Sequence, residues 1–196
     1  MPGDEWLIGD RRTVAADRIY DAAADLMARE GLNALDIDKL AARVHCSRAT
    51  IYRYVGGKGD IRDVVVARTA NRIVDSVRSA VATLSGSERL ITAILMTIQQ
   101  VRSDPLCQLM IGSIRGGTRA VAWLTNSPLT ADLATDLAGL GGSDPEAAQW
   151  IVRISLSLMY WPAEDDAAER RLVEKFVAPI FDQTPQAVQS LPNPTQ

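Results

Sequence analysis

The sequence predicts an all-α fold, a small N-terminal three-helix module containing a helix-turn-helix followed by a larger helical domain. Three observations predict it. Apolar residues recur at spacings of three and four along most of the chain and alternate almost nowhere, which is the period of amphipathic helices rather than strands. Glycines, and capping residues placed directly before prolines, fall where those periodic stretches begin and end. With 196 residues, 47% hydrophobic and 23% charged, the chain has enough apolar material for a packed core.

The elements follow in order. Ala15, Ile19, Ala22 and Leu26, with Ala23 and Met27 beside them, form one apolar stripe over about residues 11 to 30, and Gly31 ends it. Asp36 suits the cap of a short helix to about Val44, and Ser47 the cap of another to about Val55, before Gly56-Gly57 breaks the pattern. A longer helix is expected from Lys58 past Arg78 towards Leu84. Ser85 and Glu88 have capping-box spacing ahead of the apolar stretch 90–101. Asp104-Pro105, Ser127-Pro128 and Asp144-Pro145 each set a capping side chain before a proline suited to a first helical turn. The last two helices are expected over about 145–161 and 166–181. The Pro- and Gln-rich end has little to bury. The expected division is therefore residues 1–57, 58–182 and a flexible tail 183–196.

Several classes are excluded. The richest apolar stretch, 150–161, is interrupted by Arg153, Ser155 and Ser157, so no membrane span is expected. The N-terminus lacks the basic start and apolar block of a secretory signal. Cys46 and Cys107 lie far apart without metal-ligand spacing, which fits a reducing cytoplasm and no metal site. No cofactor motif is present. The single histidine, His45, sits in a turn beside Cys46 and cannot readily form a nucleophile–base pair with it. No phosphate-binding glycine loop or serine elbow occurs either, so catalysis is not expected and no catalytic residue is assigned.

The net charge of −3 conceals a basic zone. Between residues 39 and 58 the charged residues are Lys39, Arg43, Arg48, Arg53 and Lys58, with no acid among them. Such a zone is either a solvated helix face or an electrostatic footprint for nucleic acid. The segment 40–54 adds detail. A tight crossing of two short helices needs a small residue, which Ala41 provides. Its turn needs a residue tolerant of left-handed backbone, which His45 is. Ile51 then plugs the second helix into the first, and Cys46 fills an apolar turn position. Thr50 and Tyr54 share one face of the second helix, and Arg48, Tyr52 and Arg53 complete a cationic and aromatic display. Arginines suit guanine edges or phosphates, a threonine methyl suits thymine, and phenols suit phosphate oxygens.

Gly31, Leu40-Ala41, the run Ser47-Arg48-Ala49-Thr50-Ile51-Tyr52-Arg53-Tyr54 and Lys58 together resemble the N-terminal signature of TetR-family transcriptional regulators, over roughly residues 12 to 62. The resemblance implies that Thr50 and Tyr52 enter the major groove, that Tyr54 and Lys58 bind phosphates, and that Arg48 and Ala49 approach bases. With Lys39 and Arg53 these form the expected DNA-contacting set. His45 stands where the family has glycine, and Val55 where it has phenylalanine. Asp38 sits where a basic or neutral residue is common, and Gly59 weakens the following helix start. The resemblance further implies a homodimer whose two recognition helices address successive major grooves of a palindromic operator, about 34–36 Å apart.

In the larger domain, the stretch 150–161 is apolar nearly all round, and Leu172, Val173, Phe176, Val177 and Ile180 share one face of the final helix. Two such helices pair with their symmetry mates in a four-helix dimer interface. Trp150, Ile151, Ile154, Leu158, Val173, Phe176, Val177 and Ile180 are the expected interface residues. Met96, Gln99, Met110, Ile114, Trp123 and Met159 are the expected lining of a site for an apolar small-molecule effector. Gly112 and Gly116-Gly117 mark a stretch where movement could begin. The expected function is a ligand-responsive repressor that releases its operator on binding that effector. The alternative is a helical small-molecule-binding or interaction protein with impaired DNA binding.

Overall fold

The computed structural model describes residues 5–32, 34–114, 128–140 and 145–179, with the backbone alone for 5–11, 113, 114, 128 and 129. Among them are nine helices and no strand: α1 (Glu5–Glu30), α2 (Ile37–Val44), α3 (Arg48–Val55), α4 (Lys58–Val81), α5 (Gly86–Ser103), α6 (Pro105–Ile114), α7 (Pro128–Ala138), α8 (Pro145–Tyr160) and α9 (Asp166–Phe176). The all-α expectation holds. Trp123, Ile180, the Gly116-Gly117 pair, the side chain of Ile114 and the tail 183–196 lie outside the described residues. No helix among the described residues is long and apolar enough to cross a membrane.

Helix limits follow the capping chemistry. Asp104 Oδ1 accepts the amides of Leu106 at 2.9 Å and Cys107 at 3.0 Å, which satisfies two orphan donors at the start of α6. Asp165 likewise accepts from the Ala168 amide at 2.6 Å and starts α9. Two helices differ from expectation. Helix α1 begins at Glu5, six residues before the expected start at Arg11, because one internal glycine (Gly9) costs only about 1 kcal/mol and does not stop a helix. Helix α9 is interrupted after Phe176 by a turn at Val177; Ala178 and Pro179 are helical again, and the expected end near Phe181 lies outside the described residues.

The described residues fall into two compact units, one within residues 1–75 and 100–118 and the other within 76–99 and 119–196. The first unit has a core of Ile19, Ala23 and Met27 from α1, Leu40 and Ala41 from α2, and Ile51 and Val55 from α3. It reaches beyond the boundary expected after Gly57, because Ile61 and Val65 of α4 and Leu106 of α6 are buried in the same core. Met27, Leu40, Ile51, Ile61 and Val65 are fully buried, and each such side chain contributes about 1.5–3 kcal/mol relative to exposure.

In the second unit Leu90, Ile91, Ile94 and Ile98 of α5 pack with Ala131, Ala134 and Ala138 of α7, Ala148 and Ile151 of α8, and Val173 and Val177. The alanines of α7 recur at three and four, so a smooth face lies against α8. Arg89 seals the ends: its guanidinium donates to the carbonyls of Leu137 at 3.1 Å, Asp136 at 2.8 Å and Val81 at 3.4 Å. A cation over the carboxyl ends of α4 and α7 also complements both helix dipoles.

Candidate nucleic-acid interface

The interface is built from the α2–turn–α3 segment. Asp36 accepts the Asp38 amide at 2.7 Å and the Lys39 amide at 3.2 Å, starting α2. These bonds, the Lys39 amide first and then the Asp38 amide, hold the Asp36 carboxyl below its ordinary value. His45 ends α2 at φ 56° and ψ 46°, the left-handed geometry expected of it, and its successor Cys46 returns an amide to the Ala41 carbonyl at 3.0 Å. Cys46 packs against the core of the first unit, as an apolar turn residue should.

Ser47 starts α3. Its hydroxyl oxygen accepts the Thr50 amide at 3.1 Å and lies 2.9 Å from the Thr50 hydroxyl. Ile51 and Val55 point into the core, 0% and 5% exposed, and they fix the rotation of α3 about its axis. Val55 therefore fills the core from the place where the resembled family has phenylalanine. The opposite face carries Arg48, Ala49, Tyr52 and Arg53, all exposed, with Tyr52 at 54%. Gly56, at φ 80°, then turns the chain so sharply that a Cβ there would stand 2.5 Å from an Asp60 carboxylate oxygen. That same oxygen accepts the Gly57 amide at 2.8 Å and presents exposed Lys58 as the first residue of α4.

The eight expected DNA-contacting residues thus differ in situation. Arg48, Ala49, Tyr52, Arg53 and Lys58 are exposed in one short segment. Thr50 is half-buried, its hydroxyl engaged with Ser47. Tyr54 is also half-buried, and its ring lies 5.7 Å from the Arg12 guanidinium and 5.2 Å from that of Arg53. Arg12 itself reaches from α1 to the Arg53 carbonyl at 3.5 Å, a role with no local sequence signal.

The basic zone is less free than its composition suggests. Lys39 pairs with Glu30 at 2.7 Å, and the hydrogen bond and charge of Glu30 raise its pKa. Arg43 pairs with Asp25 at 2.7 Å, and Arg48 Nε with Asp38. All three acids lie outside the 39–58 window that has no acid of its own.

The other expected sites are distributed between the units. Met96, Gln99 and Met159 belong to the second unit and Met110 to the first. Met110 lines an open cleft of about 960 Å³ with Gly31, Leu32, Val66, Ala67 and Leu109. Of the expected interface residues, Ile151, Val173 and Val177 are buried inside the second unit, where they join α5, α7 and α8. Periodicity shows that they share a face but not what the face meets. Ile154 and Leu158 are half-buried, whereas Trp150 is 45% and Phe176 60% exposed.

Residues 19–65 match the family described as bacterial regulatory proteins, tetR family. Across 188 residues, 92% of each chain, the protein is 33% identical to an HTH-type transcriptional regulator of Mycobacterium tuberculosis that is itself described as uncharacterized. The TetR family repressor AlkX from Dietzia sp. strain DQ12-45-1b, implicated in biodegradation of n-alkanes, superimposes with a TM-score of 0.55 at 17% identity, covering 84% of this chain and 96% of that one. The fatty acid degradation regulator FadR from Bacillus halodurans does so with a TM-score of 0.56 at 19% identity, over 83% and 96%. At those identities the two structures share the fold.

Proposed function

The chain belongs to the tetR family of bacterial regulatory proteins, DNA-binding transcriptional regulators and not enzymes, and from that premise we propose a ligand-responsive repressor that releases a palindromic operator when an apolar small molecule binds. One observation carries the DNA-reading part. Helix α3 is locked by Ser47, Ile51 and Val55, while Arg48, Tyr52, Arg53 and Lys58 stay exposed on the side away from the core. A rigid helix with arginine and tyrosine outward has the groups that read base edges and phosphates. Residues 1–57 together with the start of α4 carry this reading head, and the effector and dimer surfaces lie within the remainder of 58–182.

The homodimer forms through α8 and α9. Trp150, Ile154, Leu158 and Phe176 supply its contact surface, and Ile151, Val173 and Val177 hold those helices in place from within. Exposed indole and phenyl rings on adjacent helices are costly in water and suit a self-complementary face. The effector is apolar, with Met96, Gln99 and Met159 of the second unit as the residues that would meet it; methionine lines adaptable apolar sites. That two relatives in fold are described in connection with n-alkane and fatty acid degradation supports an apolar effector. Release is a population shift: the effector favours a spacing of the reading heads that the operator does not, in proportion to its differential affinity.

The test is recovery of sheared DNA from the source genome at moderate salt, with sequencing of what stays bound. A short palindrome supports the operator reading. Only salt-labile, sequence-indifferent DNA, or none, overturns it and leaves a helical small-molecule-binding or interaction protein.

A further inference from the structure

Arg48 and Asp38 stand at the amino ends of α3 and α2, and the carboxylate holds the arginine through Nε. Their side chains are 65% and 61% exposed, so water screens the pair and it adds little to folding stability. A carboxylate on a DNA-facing surface also opposes the phosphates that give most of the affinity. Pairing with a neighbouring cation offsets that opposition.

The geometry of the contact says which task it serves. A carboxylate at Nε sits on the side edge of the guanidinium, so the end-on edge between the two terminal amino groups of Arg48 points away from it. Those groups form the fork that matches guanine O6 and N7, the commonest specific major-groove contact. Arg48 is also the first residue of α3, and the amino end of a recognition helix is the end that meets base edges. A free arginine has many rotamers to lose on docking, whereas one restrained at Nε has fewer.

We propose that Asp38 is a specificity-determining positioning residue, which holds Arg48 by Nε so that its terminal fork reads one guanine in each operator half-site. This rests on the reading of α3 as the DNA-recognition helix. Asp38 also lowers sequence-indifferent binding, because Arg48 in its grip is a weaker partner for phosphates.

The test measures competition binding of the wild type, Asp38→Ala, Asp38→Asn, Arg48→Ala and the double alanine variant. The duplexes vary each position of the palindrome selected by the wild type. Arg48→Ala should abolish a guanine preference at one position per half-site. Asp38→Ala should cut the preference at that same position about tenfold and tighten binding to unrelated DNA. Asp38→Asn, which keeps an acceptor oxygen, should fall between, and the double variant should match Arg48→Ala alone. Both residues are exposed, so unchanged helical circular dichroism is expected throughout. An Asp38→Ala protein with undiminished guanine preference, or with its loss at a different position, overturns the pairing. Failure of the wild type to select any sequence overturns the recognition-helix reading itself, and the two failures are told apart by that control.

Discussion

The Ser47 hydroxyl oxygen lies 3.1 Å from the Thr50 amide and 2.9 Å from the Thr50 hydroxyl, so one side chain both starts α3 and engages the polar end of Thr50. Ser47→Ala removes an amino-terminal cap, which costs about 1 kcal/mol. It also frees the Thr50 hydroxyl. Urea unfolding should show the loss as a lower midpoint with unchanged slope. Ser47→Asp, which restores a cap acceptor, should recover most of the stability while weakening DNA binding through its charge.

His45 is the one non-glycine residue with positive φ among the described residues. The left-handed region costs an ordinary residue about 1–2 kcal/mol. His45→Gly should therefore stabilise the protein by about 1 kcal/mol, and His45→Val should destabilise it by at least as much, since a β-branched residue tolerates this geometry worst. Thermal melts of the two variants check the opposite signs; equal melting temperatures would remove the strain argument.

Arg89 joins three carbonyls, and its side chain occupies the space a Cβ on Gly139 would need, 2.6 Å from Arg89 Cδ. Losing charge-assisted bonds to carbonyls at two helix ends should cost about 2–3 kcal/mol in Arg89→Ala. Gly139→Ala should also destabilise, because Gly139 has φ 70° and the new methyl meets the guanidinium stem. The two effects should be less than additive in the double variant, since removing Arg89 removes the clash. Full additivity in denaturant unfolding would mean that the two residues do not meet.

The Asp36 cap predicts a pH dependence. Its folded pKa is depressed below 3.8, chiefly by the Lys39 and Asp38 amides. Its contribution is thus fully present above about 3.8 and is lost as pH falls through the lower folded value. Asp36→Asn should flatten the stability curve of the protein below that point while leaving it little changed at neutral pH. An unchanged acid slope would mean that the cap does not form in solution.

The local features of this fold were legible in sequence, and the reason is chemical. Asp36, Ser47 and Asp104 cap helices by bonding amides two or three residues ahead, so the signal and its effect lie within one short segment. His45 was legible for the same reason, because the turn it occupies is set by its own dihedral angles. The pairs Lys39–Glu30, Arg43–Asp25 and Arg48–Asp38 were not, since each joins different elements and depends on how they pack. Consequently a zone that looks basic along the chain is partly neutralised in space. The same limit explains Val173 and Val177: a stripe at helical spacing marks a buried face without saying what buries it.

The salt dependence of operator affinity for the wild type and for Tyr52→Ala/Lys58→Ala tests most directly whether α3 and the start of α4 read DNA. Each phosphate contact removed should lower the slope of log affinity against log salt by about 0.9. Losing Lys58 from both reading heads of a dimer should therefore reduce the slope by roughly two. Loss of Tyr52 should erase most of the preference for the palindrome over unrelated DNA. A double variant with wild-type slope and wild-type preference would contradict the claim that the exposed face of α3 and the start of α4 read DNA.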